Sequence, residues 1–140
     1  MTSVLIHIVD DDIEAGEEFR NLLNQLGDIV LYTVPEEFLK SVGTKRLCII
    51  DYRFNNSGLT GIDVAEKVME ENQRCKVIIV TGMPGNNDLL KLINLKAFKY
   101  LNKNDNDFKT QLIKYVQQAI KIVKEDIRIE QLVSKRLSNE

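Results

Sequence analysis

The sequence is poor in residues that bind soft metals or form cross-links. Its 140 residues include two cysteines, Cys48 and Cys75, which stand singly and far apart, and one histidine, His7. These three residues cannot supply a zinc cluster of the usual spacing. Isolated cysteines also favour a reducing compartment, so a cytoplasmic location is expected. His7 lies in the middle of an apolar run and is interpreted as a core or edge residue of a strand.

Long apolar runs and an excess of basic charge are missing as well. The first apolar run, residues 3–9, has no basic segment before it and is too short for a signal peptide. No run approaches the roughly 20 apolar residues of a membrane-spanning helix. The formal net charge is −2, so no overall basic field attracts nucleic acid or acidic lipid. We therefore expect neither membrane insertion nor direct nucleic-acid binding by this chain.

The chain does contain short apolar runs that alternate with amphipathic stretches, which predict strands and helices respectively. The predicted strands are residues 3–9, 29–32, 46–50, 76–80 and 97–101. The predicted helices are residues 12–26, a short helix from 35, a helix over about 60–69, residues 86–95, and a helix from about 105 almost to the end. This order predicts one α/β domain whose parallel sheet is doubly wound by right-handed crossovers.

Acidic residues close two of the predicted strands. Asp10, Asp11 and Asp12 follow the first strand, and Asp51 ends the third. Ligands of such sheets bind at the carboxyl ends of the strands, so at least three carboxylates should converge there if the first and third strands are neighbours. Two like charges about 4 Å apart repel by about 4 kcal/mol at an effective dielectric near 20, so the cluster needs a cation or a raised pKa. Hard oxygen ligands select magnesium, with manganese as the alternative. Asp12 also begins a helix and is interpreted as its N-cap.

The last two predicted strands add two more polar groups. Strand four ends in Thr81-Gly82, and strand five leads to Lys103. A carboxylate nucleophile, a divalent metal, a hydroxyl donor and an ammonium are the parts that phosphoryl transfer requires. The strand ends together therefore predict a phosphoryl-transfer site.

Four motifs occur at these strand ends in a fixed order. They are VDD (Val9–Asp11), IID (Ile49–Asp51), VTG (Val80–Gly82) and YLNK (Tyr100–Lys103). With these motifs the chain resembles the receiver domain of two-component response regulators over about residues 3–124. The resemblance implies a flavodoxin-like fold, in which five parallel strands ordered 2-1-3-4-5 are wound by five helices.

The resemblance also implies an acceptor and a metal site. Asp51 would accept the phosphoryl group from a sensor histidine kinase or a histidine phosphotransfer protein. Magnesium would be bound by the side chains of Asp11 and Asp51, by the backbone carbonyl of Arg53, and by Asp10 through water. Arg53 and Met83 stand where the family has residues that tune the lifetime of the acyl phosphate.

The same resemblance implies phosphate-binding and switch residues. Thr81 and Lys103 would each bind a phosphoryl oxygen, and Gly82 would keep the approach open. Tyr100 would be the switch aromatic, which turns inward as Thr81 moves toward the phosphate. The output would be altered binding of an unidentified downstream protein. No separate substrate is expected, so the chain is not predicted to be an enzyme beyond catalysing its own phosphorylation and dephosphorylation.

Three positions depart from the family pattern. In the loop over residues 53–60, the glycine before the helix comes two residues later than usual, and Phe54-Asn55 stands where Met-Pro is common. Asn104 replaces the proline that often follows the lysine in a cis peptide; a non-proline cis bond costs about 2.5–4 kcal/mol, which favours a trans bond here. Phe98-Lys99 replaces an acidic pair, so the charged dimer interface of transcriptional members is not expected.

The last predicted helix continues beyond a normal receiver domain. We therefore divide the chain into a receiver domain, residues 1–124, and a helical extension, residues 125–140. Apolar residues continue through the extension, but Asp126 and Glu130 interrupt them. The extension is interpreted as a dimerising or partner-docking helix, as the stub of a linker to an output domain, or as a fraying tail.

Two further functions compete with the phosphorylated switch. A phosphatase or phosphotransferase with an aspartyl-phosphate intermediate would typically have an acid/base aspartate two residues after the nucleophile, where this chain has Arg53. A pseudo-receiver would bind partners without phosphorylation, but the intact acidic pair, Asp51, Thr81 and Lys103 argue against it. The chain would also suit the N-terminal receiver of a longer transcriptional regulator.

Overall fold

The computed structural model describes residues 3–82 and 86–139, with the backbone alone for residues 86–89. The strands are β1 (Ile6–Val9), β2 (Ile29–Tyr32), β3 (Leu47–Asp51), β4 (Lys76–Thr81) and β5 (Lys99–Asn102). The helices are α1 (Ile13–Leu23), α2 (Pro35–Leu39), α3 (Gly61–Glu71), α4 (Asn86–Leu95) and α5 (Phe108–Ser138), with a 3₁₀ turn at Val42–Thr44. The predicted alternation of strands and helices is therefore confirmed.

The strands form one parallel sheet in the order β2-β1-β3-β4-β5, as predicted. Val9 pairs with Ile50, and Asp51 pairs with Val80. Because neighbouring strands are in step, the residues that follow β1, β3, β4 and β5 emerge at the same edge of the sheet.

The apolar strands are buried on both faces, which explains why they do not alternate with polar residues. Ile49 and Ile78 point toward α1 and α5, where Phe19 and Leu112 complete one core. The other core lies under α2, α3 and α4. It includes the buried side chains of Phe38, Cys48, Ile50, Ile62, Val68 and Ile79.

Two helices begin with the caps expected from their sequences. Asp12 accepts hydrogen bonds from the backbone N–H groups of Glu14 and Ala15 at the start of α1, at 3.0 and 3.3 Å. Thr60 and Asp63 form a reciprocal capping box at the start of α3. The α3 cap sets the position at which the long loop after β3 ends.

Several predicted boundaries differ from the structure by a few residues, and three of the differences have a structural cause. β1 begins at Ile6 rather than Ser3, because its pairing with β2 begins there. α1 ends at Leu23 rather than Leu26, and a Cβ on Gly27 would lie 2.7 Å from the carbonyl oxygen of Val4. β5 begins at Lys99 rather than residue 97, because Lys96 ends the preceding helix with a left-handed φ of 59°. Strand pairing sets the first of these boundaries and tight connections set the other two, whereas apolar character alone predicts longer elements.

α5 continues without a break past residue 124 and contacts the start of two strands. Arg46 donates two hydrogen bonds of 2.7 Å to the Glu130 carboxylate, and Arg74 donates a third of 2.6 Å. Glu130, which interrupts the apolar pattern in the sequence, is thus the residue by which α5 is held near the amino-terminal edge of the sheet. In residues 3–82 and 86–139, no helix combines the length and the apolar character required to cross a membrane.

Candidate functional site

Three carboxylates meet at the carboxyl edge of the sheet. Asp10 and Asp11 directly follow β1, and Asp51 is the last residue of the neighbouring β3. One oxygen from each residue lies within 4.8 Å of the others. The predicted convergence of Asp10, Asp11 and Asp51 is therefore present, and its all-oxygen donor set fits a hard divalent cation.

Asp10 is the most deeply buried of the three, with 3% of its surface exposed. Its Oδ1 accepts a hydrogen bond of 2.9 Å from the backbone N–H of Asp12. Its Oδ2 is buried and has no hydrogen-bond partner among the described residues. Burial and the neighbouring charge of Asp51 raise the pKa of Asp10 from 3.8 to about 6. A buried carboxylate oxygen without a partner is the feature that a bound cation would satisfy.

Asp11 contacts the long loop after β3. Its Oδ2 accepts hydrogen bonds from the backbone N–H groups of Asn55 and Asn56, the latter at 3.2 Å. Phe54 is 9% exposed and packs into the core on the α3 side. The two extra loop residues therefore do not project away from the sheet, because the apolar side chain anchors the loop while its amides orient a carboxylate of the cluster.

Asp51 is paired with a cation from the end of β5. Lys103 Nζ donates a hydrogen bond of 2.7 Å to Asp51 Oδ1. Burial raises the pKa of Asp51 above its ordinary value, although the hydrogen bond from Lys103 lowers it. The side chain retains 13% exposure, so one face of the carboxylate remains accessible.

A pocket of about 290 Å³ opens beside this ion pair. Asp51, Arg53, Thr81, Gly82 and Lys103 all line it. The Thr81 hydroxyl is buried and has no hydrogen-bond partner within the described part of the chain. A Cβ on Gly82 would meet nothing within 4 Å, so this glycine leaves open space at the pocket. A carboxylate, an ammonium and a hydroxyl without a partner among the described residues therefore surround one small cavity.

Tyr100 lies one strand away from Thr81. Thr81 pairs with Asn102, so Tyr100 is the next residue of β5 on the same face. Its ring is half-buried and packs against the core on the α3 side. Burial, with a smaller effect of Asp105, raises the pKa of Tyr100. Met83, the other candidate residue in this region, lies outside the described residues.

Asn104 and Gly61 are site residues whose roles sequence reasoning missed. Asn104 donates a hydrogen bond of 2.5 Å from its side-chain amide to the Gly82 carbonyl, which ties the end of β5 to the end of β4. No cis peptide occurs among the described residues, so the bond between Lys103 and Asn104 is trans, as expected. A Cβ on Gly61 would lie 2.3 Å from the carbonyl oxygen of Asp51. In the sequence, the position of Gly61 two residues later than the family's usual glycine was the one signal for this contact.

Comparison with known proteins agrees with this geometry. The family model described as the response regulator receiver domain matches residues 6–117. No curated protein matches the chain.

Solved structures share the same fold. The signal receiver domain of a putative Luxo repressor protein from Vibrio parahaemolyticus is 19% identical over 92% of this chain and 98% of that chain, with a TM-score of 0.78. A CheY-like receiver domain protein from Methanospirillum hungatei JF-1 is 20% identical over 89% and 99%, with a TM-score of 0.77. The response regulator DrrB, an OmpR/PhoB homolog from Thermotoga maritima, is 21% identical over 84% of this chain, with a TM-score of 0.71. This chain covers only 52% of DrrB.

Proposed function

Because the chain belongs to the response regulator receiver domain family, we propose that it is a phosphorylation-activated signalling switch whose acceptor is Asp51. The observation that carries the proposal is the 2.7 Å contact between Lys103 Nζ and Asp51 Oδ1, at the wall of a pocket that Thr81 also lines. A carboxylate that is buried but still partly accessible, and paired with an ammonium, is suited to act as a nucleophile at phosphorus.

In the proposed reaction, an oxygen of Asp51 attacks the phosphorus of a phosphohistidine. The bond between phosphorus and nitrogen breaks, and the nitrogen keeps the electron pair. The Lys103 ammonium opposes the effect of burial and favours the ionised carboxylate. In the phosphorylated product, Lys103 pairs with one phosphoryl oxygen and the Thr81 hydroxyl donates to another, while Gly82 leaves the approach open. The protein thus catalyses its own phosphorylation and dephosphorylation and acts on no separate substrate.

Magnesium, or manganese, fits the carboxylate cluster. Asp10, Asp11 and Asp51 offer oxygens within 4.8 Å of one another, and Asp10 Oδ2 is buried without a partner among the described residues. The backbone carbonyl of Arg53 is the proposed fourth ligand, since Arg53 lines the same pocket as Asp51. When bound, the ion supplies positive charge that offsets the carboxylates and the phosphoryl oxygens.

The proposed output runs from Thr81 to Tyr100. As the Thr81 hydroxyl moves to the phosphoryl group, the space beside it admits the Tyr100 ring, which lies near it along β5. The inward turn of Tyr100 changes the surface formed by α4, β5 and α5. This surface is proposed to bind a downstream protein, and not a membrane or nucleic acid.

The phosphodonor is proposed to be a sensor histidine kinase or a histidine phosphotransfer protein in the cytoplasm. The free thiols of Cys48 and Cys75 are compatible with that reducing compartment. Residues 1–124 are proposed to form the receiver and residues 125–140 its helical extension. The alternative proposal is that this chain is the N-terminal receiver of a longer transcriptional regulator.

Intact-mass spectrometry after incubation with magnesium and acetyl phosphate tests the proposed acceptor. The wild type should gain one phosphate, and Asp51→Asn should gain none. Asp12→Asn is the matched control, since Asp12 caps α1 and should not affect the addition. Absence of addition with every donor would favour a pseudo-receiver, whereas rapid turnover of varied phosphate esters would indicate an enzyme.

A further inference from the structure

The two cysteines of the chain are neighbours in the fold. Cys48 lies in β3, and Cys75 directly precedes β4. Their sulfur atoms are 3.5 Å apart, and both thiols are free. A disulfide bond is about 2.05 Å long, so the two sulfurs need to approach by about 1.5 Å to form one. Cys75 stands outside the β4 ladder, so its side chain is less constrained than that of Cys48.

The two thiols differ in their access to small molecules. Cys48 is 0% exposed, and the hydrogen bond to Cys75, together with burial, holds the pKa of its thiol well above the usual range. Cys75 is 7% exposed and lines a second pocket of about 290 Å³ at the amino-terminal edge of the sheet. A reagent that enters this pocket therefore meets Cys75 first, with Cys48 directly behind it.

Positive charge surrounds the same sulfur pair. Lys76 and Lys96 line the pocket together with Cys75. Lys45 is 4% exposed, and its ammonium donates hydrogen bonds of 2.6 Å to the Ser41 carbonyl and hydroxyl. Lys45 is close enough to interact with the charge of both thiolates. Two lysines therefore line the pocket, and a third lies near the two sulfur atoms.

We propose that Cys75 and Cys48 form a redox-sensitive pair that a hydroperoxide converts to an intramolecular disulfide. The Cys75 thiolate attacks the distal peroxide oxygen: a sulfur–oxygen bond forms, the oxygen–oxygen bond breaks, and the alkoxide or hydroxide that leaves takes up a proton. Cys48 then attacks the sulfenic acid sulfur of Cys75, a sulfur–sulfur bond forms, and hydroxide leaves with the Cys48 proton as water. Overall, two thiols lose two electrons and the hydroperoxide gains them.

The pair lies at the opposite edge of the sheet from Asp51: Cys48 is in β3, and Cys75 directly precedes β4. A disulfide would join β3, which ends at Asp51, to the start of β4, which ends at Thr81. The proposal does not depend on phosphorylation, because neither thiol contacts the carboxylate cluster. The proposed phosphorylation and the proposed disulfide can therefore be refuted independently, because a protein that accepts no phosphate would still show the thiol chemistry.

The test is treatment of the folded 140-residue chain with hydrogen peroxide, followed by removal of the peroxide, unfolding and alkylation. The wild type should lose both alkylatable thiols and two hydrogen masses, and a digest should contain a reducible peptide pair that links Cys48 to Cys75. The rate should increase in proportion to the peroxide concentration. A rate independent of peroxide would mean that global unfolding exposes the thiols, and would overturn the proposal.

Single variants assign the order of attack. Cys48→Ala should stop at a sulfenic acid on Cys75, which dimedone traps, whereas Cys75→Ala should leave Cys48 as an unreacted thiol. Circular dichroism should show that both variants fold. If Cys48→Ala does not fold, the linked peptide of the wild type remains the deciding measurement. Two alkylatable thiols after exposure, or disulfides only between molecules, would refute the intramolecular pair.

Discussion

At the scale of single residues, the buried charge of Asp10 lowers the stability of the protein when no metal is bound. Its pKa of about 6 in the fold exceeds the ordinary value of 3.8, so the folded protein binds a proton that the unfolded chain releases between these values. The contribution of Asp10 to the free energy of unfolding is therefore most favourable below about pH 4, falls as the pH rises to about 6, and stays reduced above it. At about 1.36 kcal/mol per pKa unit, the reduction is about 3 kcal/mol.

Asp10→Asn should remove that reduction. In a chelator at neutral pH, we expect the variant to be more stable than the wild type by up to about 3 kcal/mol, because its amide carries no buried charge. Urea denaturation at several pH values measures the difference, which should vanish in acid. Magnesium should stabilise the wild type but hardly affect the variant. Asp12→Asn, at an exposed cap, should show neither effect; a destabilised Asp10→Asn would contradict the account.

Thr81 is a second residue at which a substitution should impair function without lowering stability. Thr81 is 1% exposed, and its Oγ1 has no hydrogen-bond partner among the residues described. Replacing a buried hydroxyl that makes no hydrogen bond with a methyl group removes a desolvation penalty of about 1–2 kcal/mol.

We therefore expect Thr81→Val to match or exceed the wild type in stability, but to lose the change in Tyr100 that follows phosphorylation. NMR of the Tyr100 ring with and without beryllofluoride measures the switch, and thermal unfolding measures stability. Thr60→Val is the contrasting variant, because it breaks the α3 capping box and should cost about 1 kcal/mol while leaving the switch intact. A Thr81→Val protein that still switches would exclude the role proposed for the hydroxyl.

At the scale of elements, the connection between β3 and α3 holds Asp51, the proposed acceptor, in position. The backbone N–H of Gly61 donates a hydrogen bond of 2.7 Å to the Tyr52 carbonyl, directly beside Asp51. An added Cβ would lie 2.3 Å from the Asp51 carbonyl oxygen and 2.7 Å from the Tyr52 Cα. The start of α3 can lie this close to the end of β3 only because residue 61 has no side chain.

Gly61→Ala should therefore destabilise the protein by roughly 3 kcal/mol and slow phosphorylation, since the clash is with backbone that cannot rotate away. Gly43→Ala is the control, because a Cβ there meets nothing within 4 Å, and its effect should be within about 0.5 kcal/mol. The urea midpoints of the two variants make the comparison. Equal midpoints would show that the loop relaxes freely around residue 61.

The extension of α5 contains two kinds of ion pair, one that joins it to the rest of the domain and one that lies within the helix. Glu130 joins α5 to Arg46 and Arg74, whereas Glu125 pairs with Arg128 inside the same helix. Glu130→Gln should therefore speed amide hydrogen exchange after residue 126, and Glu125→Gln should not. The hydrogen bond from Arg46 lowers the pKa of Glu130, so acid should have the same effect once the pH falls through that pKa. Similar exchange in the two variants would contradict a docked extension.

At the scale of the molecule, the last turns of α5 present an exposed apolar face. Ile129, Leu132, Val133 and Leu137 are each 46–63% exposed. Exposed apolar side chains at this helical spacing favour self-association. The acidic pair of transcriptional dimers is absent, and Lys99 instead lies 4.6 Å from the centre of the Tyr115 ring.

We accordingly expect the full chain to dimerise through this face, and residues 1–124 to fold as a monomer that still accepts phosphate. Sedimentation equilibrium of the chain, the truncated form and Leu132→Glu, with and without beryllofluoride, measures this. Lys124→Glu is a matched control, since its exposed side chain precedes the apolar face. A truncated form that fails to fold would move the domain boundary beyond residue 124.

The sequence by itself determined the parallel sheet, and the motifs it shares with the receiver family implied the strand order that brings Asp10, Asp11, Asp51, Thr81 and Lys103 together. This was possible because parallel strands present their carboxyl ends at one edge, so a polar residue that follows an apolar run acquires a predictable place. Strand ends are local features that periodicity alone can detect.

Only the tertiary structure decided the contacts between distant parts of the chain. The amides of Asn55 and Asn56 bind a carboxylate 44 and 45 positions away, and Arg46 binds Glu130 across 84 positions. The Cys48 and Cys75 sulfurs are separated by 27 positions. Such contacts depend on the path of a loop and on where a helix crosses the sheet, and no local pattern encodes either.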